Sequence, residues 1–167
     1  FGLLRVVTAP GDALKDRSLS AETCALPFAA KRVALAAALF CNDLPETVIC
    51  TASGGKVDAG ETPEAAAIRE CREELHITVS NLEYCGEHRF QFVDGYSIHV
   101  WVYRTRDFEG EPTETLEAEP LWTRMDEIPF DAMWEDDKYW LPMLVRGERF
   151  QTKWIFDGDR MLDYEIE

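Results

Sequence analysis

Between residues 54 and 77 the chain reads GGKVDAGETPEAAAIRECREELHI. Glu70, Glu73 and Glu74 are spaced to fall within about one turn on one side of a helix, at roughly 3.6 residues per turn. Like charges so placed repel, and the patch calls for a cation. Carboxylate oxygens are hard ligands, which suits Mg2+ or Mn2+ better than zinc or copper. Gly54 and Gly55 let the preceding backbone turn tightly and approach, so a main-chain carbonyl can join the ligand set. Arg69 is placed to grip Glu61 at the loop entrance by a bidentate contact that fixes the loop against the helix. The competing reading is a solvated acidic helix face, the usual fate of a charge run.

The elements that must position these groups follow from local pattern. Thr62 is a natural N-cap, Pro63 suits the first helical position, and the alanines favour helix over 62–75. Ala65, Ile68, Cys71 and Leu75 recur at threes and fours and give that helix a stripe to bury. Upstream, VALAAALFC (33–41) and TVICTA, joined by the turn-like NDLPE, predict two strands, the second running into Gly54 and Gly55. Downstream, RFQFV (89–93) and the alternating YSIHVWVYRT (96–105) flank a DG turn signal. Residues 119–130 predict a further strand and a turn. Residues 133–147 have helical spacing, with Pro142 expected to bend or break the helix. The tail predicts two strands across Asp157-Gly158. Strands and helices segregate unevenly, so the expected class is α+β and not a doubly wound sheet.

With 167 residues and 46% hydrophobic content, the chain can build one domain with a sizeable core. The net charge of -15 argues against adhesion to nucleic-acid polymers or anionic membranes, which need clustered Lys and Arg. It leaves room for a small phosphorylated ligand that arrives with a divalent cation. The five cysteines, Cys24, Cys41, Cys50, Cys71 and Cys85, show neither a CxxC pair nor metal-ligand spacing. They read as reduced thiols of a cytoplasmic protein. The apolar run at 33–41 is too short to span a bilayer. Residues 1–32 carry no assigned chemistry, and because the chain opens on Phe1, a natural N-terminus further upstream is expected.

The ordered spacing says more than the charge run alone. Five residues separate Gly55 from Glu61, seven more lead to Arg69-Glu70, and Cys71, Glu73-Glu74 and Ile77 follow. This stretch resembles the Nudix box, Gly-x5-Glu-x7-Arg-Glu-apolar-x-Glu-Glu-x-Gly-apolar, and departs from it at one defined position, where His76 replaces glycine. That glycine takes a left-handed backbone conformation, which His tolerates at modest cost, so a slightly strained helix end is expected. The resemblance implies a mixed sheet sandwiched between helices (α/β/α), with the domain at 33–167 after an N-terminal extension of unclear structure. It implies hydrolysis of a nucleoside diphosphate linked to another group. Carried over, Glu70, Glu73 and Glu74 are metal ligands or, for one of them, the base that deprotonates water. Gly54 offers its carbonyl, and Lys56 meets a phosphate.

The second half resembles the members of that family that cleave oxidised purine nucleoside triphosphates, such as 8-oxo-dGTP and 2-oxo-dATP, to monophosphate and pyrophosphate. MWEDDKYW and LDYEIE carry this likeness. It implies that Trp134 stacks on the purine while Asp136 and Asp137 read its edge. Adjacent carboxyls in an apolar pocket repel unless one holds a proton, and a protonated acid donates to a purine carbonyl while its neighbour accepts. Read without the resemblance, Asp-Asp is a natural N-cap pair. Phe90 matches a pocket aromatic, and Glu117 aligns with a further metal-binding glutamate, flanked by Glu114 and Glu119. Thr51 stands where those relatives have a base-contacting asparagine, in a segment several residues shorter than theirs. Asn81, His88 and His99 show no triad-like arrangement and read as structural or surface.

The leading expectation is therefore a monomeric Mg2+-dependent nucleotide hydrolase, with Mn2+ as substitute, that sanitises the nucleotide pool. The alternatives are a Nudix hydrolase of a dinucleoside polyphosphate or nucleotide sugar, and an inactive Nudix-fold binding module.

Overall fold

The computed structural model describes residues 31–40, 47–49, 53–115, 120 and 122–167. The main sheet is built from β1 (Lys31–Phe40), β3 (Ser53–Lys56), β5 (Glu83–Phe92), β6 (Tyr96–Thr105), β9 (Phe150–Asp157) and β10 (Arg160–Ile166). Their order is β10-β9-β5-β6-β1-β3. The sheet is mixed, because β1–β6 and β5–β9 are parallel while the other neighbours are antiparallel. Two small antiparallel pairs join β2 (Thr47–Ile49) to β8 (Trp122–Arg124) and β4 (Thr78–Ser80) to β7 (Asp107–Glu109).

Alternation along β6 divides the core. Ile98, Val100 and Val102 face a cluster with Trp140, Leu141 and Leu144 of α2 (Asp137–Arg146), over Phe150, Trp154 and Phe156 of β9. Tyr103 and Trp101 face the other cluster, with Ala66, Ala67, Cys71 and Leu75 of α1 (Pro63–Leu75). Each face of the sheet is thus closed by one helix, the expected α/β/α sandwich.

β6 spans the predicted 96–105, and the hairpin from β9 to β10 turns at Gly158, whose φ is 58°. Two local expectations need correction. The single strand drawn from 47 into the glycine pair is two strands in different sheets, β2 and β3. Pro142 does not break the last helix: α2 runs through it to Arg146, anchored by buried Trp140, Leu141 and Leu144. Their burial offsets the one helical hydrogen bond that proline lacks. That helix starts at Asp137, preceded by a 3-10 turn at Phe130–Ala132. Of the cysteines among the described residues, Cys71 and Cys85 are buried, and Cys85 Sγ donates to Glu83 O at 3.4 Å. Among the described residues, no helix is long and apolar enough to cross a membrane.

Candidate active site

Helix α1 begins as its sequence demands. Thr62 is extended and its Oγ1 accepts from Ala65 N at 3.2 Å. At the far end His76 takes the left-handed conformation, φ 58° and ψ 29°. This is the strained cap expected where the family pattern has glycine. The end is tied down: Thr113 N donates to Leu75 O at 3.2 Å, and His76 Nδ1 lies 2.8 Å from Thr113 Oγ1.

On the exposed side of α1, Arg69 organises the charge. Its Nε and Nη2 donate to the two Glu61 oxygens, each at 3.1 Å, the predicted bidentate pair. Nη2 also donates to Lys56 O at 2.9 Å, while Nη1 donates to Glu70 at 2.7 Å and Glu73 at 3.1 Å. One guanidinium therefore joins the glycine loop to two of the three patch glutamates. The Arg69 hydrogen bond, helped by one from Asp58 N, holds the Glu61 carboxyl below its ordinary range. The same contacts raise Arg69 further still, the Glu61 bond first.

The glycines are needed for close approach. A Cβ on Gly55 would sit inside the Glu70 carboxylate. Gly54 N donates to Glu74 Oε2 at 3.0 Å. The sheet register aligns Gly55 with Ala36 and Trp101, on the α1 face. Lys56, aligned with Leu35 and Val100, lies on the face of the α2 cluster, with its side chain exposed. Among the described residues, no three carboxylate, His or Cys groups converge on one metal position. The geometry explains it, since Arg69 and Gly54 N draw the carboxylates toward themselves. The donor set is nonetheless all hard oxygen, the ligand chemistry that suits a hard divalent cation.

The second constellation sits across the sheet. Asp136 and Asp137 are both 3% exposed. Asp137 is satisfied on both oxygens: Oδ2 accepts from Trp134 N and Oδ1 from Trp140 Nε1, each at 3.1 Å. Asp136 Oδ1 is buried without a partner. Asp136 occupies the N-cap position of α2 yet makes no capping hydrogen bond, so the N-cap reading of the pair fails. Burial pushes both carboxyls above their ordinary range, and the neighbouring Asp136 pushes Asp137 further. The two N–H donors act to lower Asp137 against that push, and the unpaired Asp136 Oδ1 leaves a hydrogen-bonding position open to a ligand.

Aromatic rings floor this site. Trp134 meets Phe156 edge-on at 5.3 Å, and Phe90 lies 6.1 Å from the same ring. Of the remaining sequence candidates, Thr51 and Glu117 lie outside the described residues. His99 pairs with Glu87 at 2.9 Å on a half-buried sheet face, and exposed Asn81 bonds Asp107 at 2.7 Å. His88 is fully enclosed between β5, β9 and α2, a placement the sequence reading left as generically structural.

A mixed sheet between two helices, with a glycine loop clamped by Arg69 to a glutamate helix, defines the scaffold class. The chain belongs to the NUDIX domain family, whose pattern matches residues 22–144. It is 39% identical over 116 residues, 68% of this chain and 74% of the relative, to an oxidized purine nucleoside triphosphate hydrolase from Danio rerio. It is 39% identical over 59 residues to an 8-oxo-dGTP diphosphatase from Escherichia coli, covering 35% of this chain and 45% of that protein. A MutT protein from Bacillus halodurans has the same fold, with a TM-score of 0.73 at 21% identity, covering 81% of this chain and 97% of that one.

Proposed function

We propose that this chain hydrolyses oxidised purine nucleoside triphosphates, such as 8-oxo-dGTP and 2-oxo-dATP, to monophosphate and pyrophosphate, with Mg2+ as cofactor and Mn2+ as substitute. The observation that carries the reading is the buried Asp136–Asp137 pair, which presents one unpaired carboxyl oxygen beside Trp134. Such a pair is costly to bury, and it suits a ligand edge that both accepts and donates hydrogen bonds. The named activities of the Danio rerio and Escherichia coli relatives support the same substrate class.

Nudix hydrolases use a divalent metal; here Glu70, Glu73, Glu74, the Gly54 carbonyl and Glu117 would hold it, and when bound it neutralises phosphate oxygens and acidifies water. One of the helix glutamates takes the proton of the attacking water as the α–β phosphoanhydride bond breaks. Arg69 and Glu61 keep the loop against α1, so the glutamates stay aligned with the strand that carries Lys56. Lys56, on the α2 face, meets a phosphate on the way to the base. Trp134 stacks on the purine, Phe90 walls the pocket, and Thr51 takes the place of a base-contacting amide. One carboxyl of the Asp136–Asp137 pair, protonated, donates to the purine carbonyl while its neighbour accepts. We assign the activity to a monomeric cytoplasmic protein whose catalytic domain is 33–167, acting on free nucleotides to clear damaged precursors from the pool.

The test is product analysis with Mg2+ and a panel of 8-oxo-dGTP, 2-oxo-dATP, dGTP, a dinucleoside polyphosphate and ADP-ribose. Pyrophosphate and monophosphate are expected from the oxidised triphosphates. Pyrophosphate release from no triphosphate overturns the reading.

A further inference from the structure

His88 is a titratable group outside the machinery described above, and its surroundings are specific. Its Nδ1 lies 2.6 Å from Thr152 Oγ1 and accepts from Trp154 Nε1 at 3.3 Å. An indole N–H can only donate, so Nδ1 is the acceptor and the ring proton is on Nε2. That Nε2 is buried and has no partner. Burial lowers the His88 pKa to about 3, so the ring is neutral at any working pH. It stacks on Phe150 at 5.1 Å and lies 4.6 Å from Trp140. Trp140 in turn spends its indole N–H on Asp137 Oδ1. A contiguous chain thus runs from Thr152 through His88 and Trp140 to Asp137.

We propose that His88 is a positioning residue of the base-reading site: anchored to β9 by Thr152 and Trp154, it sets the Trp140 ring, and through it the hydrogen bond from Trp140 Nε1 that orients the Asp137 carboxyl. The link to base reading rests on the function proposed above; the link to Asp137 does not. An unpaired buried donor is a net cost to folding. A purely structural role at this position would be filled better by an apolar ring. Among the described residues, the titratable groups around the path are Asp137 on α2, Asp136 and Glu135 just before it, and the phenols of Tyr139 and Tyr164 against Trp154; β5 and β9 present Phe90, Thr152 and Trp154, none of which ionises at working pH.

The test uses the full chain as His88→Phe and Thr152→Val, each checked for cooperative thermal unfolding. Carbon-13 side-chain NMR follows the Asp136 and Asp137 titrations without substrate, and steady-state kinetics follow 8-oxo-dGTP against dGTP over pH. In both variants the aspartate titrations are expected to move, more in His88→Phe. KM for 8-oxo-dGTP should rise about tenfold with kcat little changed, the mark of lost binding and not lost chemistry. Titrations and KM that stay at wild-type values in the folded variants overturn the proposal, and Thr152→Val decides it alone if His88→Phe does not fold. A wild type inactive on both nucleotides whose aspartates still shift in the variants discards the substrate reading and keeps the positioning role.

Discussion

The glutamate helix and the aspartate pair both concentrate like charge, and they relieve it in opposite ways. On α1 the carboxylates border solvent, and a cation compensates them: Arg69 reaches Glu61, Glu70 and Glu73 together. At the start of α2 the carboxyls are buried, and compensation comes from a retained proton and two uncharged N–H donors. Exposure makes the difference. Where water screens repulsion, charge can stay and wait for a metal; where burial penalises ionisation, the proton stays. The first arrangement suits phosphate chemistry, the second reading of a base edge.

The sharpest way to break this comparison is Glu73→Gln. The side chain is 59% exposed, so stability should hold within about 0.5 kcal/mol, while kcat falls by ~10^2–10^3-fold. Calorimetry and turnover with Mg2+ measure the two separately, and equal losses in both would mean a structural role. Gly55→Ala attacks the same site through packing. Its Cβ would displace the Glu70 carboxylate, costing about 1–3 kcal/mol in urea unfolding and lowering metal affinity.

Asp137→Asn probes the other region. It turns an acceptor toward being a donor opposite Trp140 Nε1 or Trp134 N, so kcat/KM for 8-oxo-dGTP should drop by about 1–3 kcal/mol of binding, with little effect on Mg2+ affinity. The pair also predicts a pH signature. Its folded carboxyls titrate above the unfolded Asp value of about 3.9. As pH rises past that value, the unfolded chain releases protons the folded protein keeps, so stability falls until the folded pair ionises. Asp136→Asn should flatten this fall in thermal unfolding between about pH 4 and pH 8; an unchanged slope would place the proton elsewhere. The smallest effect is expected from His76→Gly. It relieves a left-handed φ but loses the Thr113 contact, leaving stability within about 0.5 kcal/mol of wild type.

Much of α1 was legible in sequence because its determinants are local. Thr62, Pro63, the alanine run and the Arg69–Glu61 spacing act within a few turns, and the left-handed His76 follows from one position in a motif. The span of β6 was equally plain, since its alternation reports the two covered faces directly. Residues 47–56 were misread as one strand because a short apolar run does not reveal which neighbour it pairs with. Pro142 was misread because helix propensity is local, while the burial of Trp140, Leu141 and Leu144 that carries α2 through it is tertiary.

By itself, then, the sequence determined the chemistry of α1: which carboxylates share one side of the helix and which arginine grips the loop, while the need for Gly55 to admit the Glu70 carboxylate came from the fold. Only the tertiary structure decided that Asp136 and Asp137 are buried and unequal, and that His88 packs against the Trp140 ring that donates to Asp137. The physical reason is range. Helical spacing and caps are written in adjacent residues, whereas the proton on a carboxyl depends on how much water and which donors distant strands bring to it.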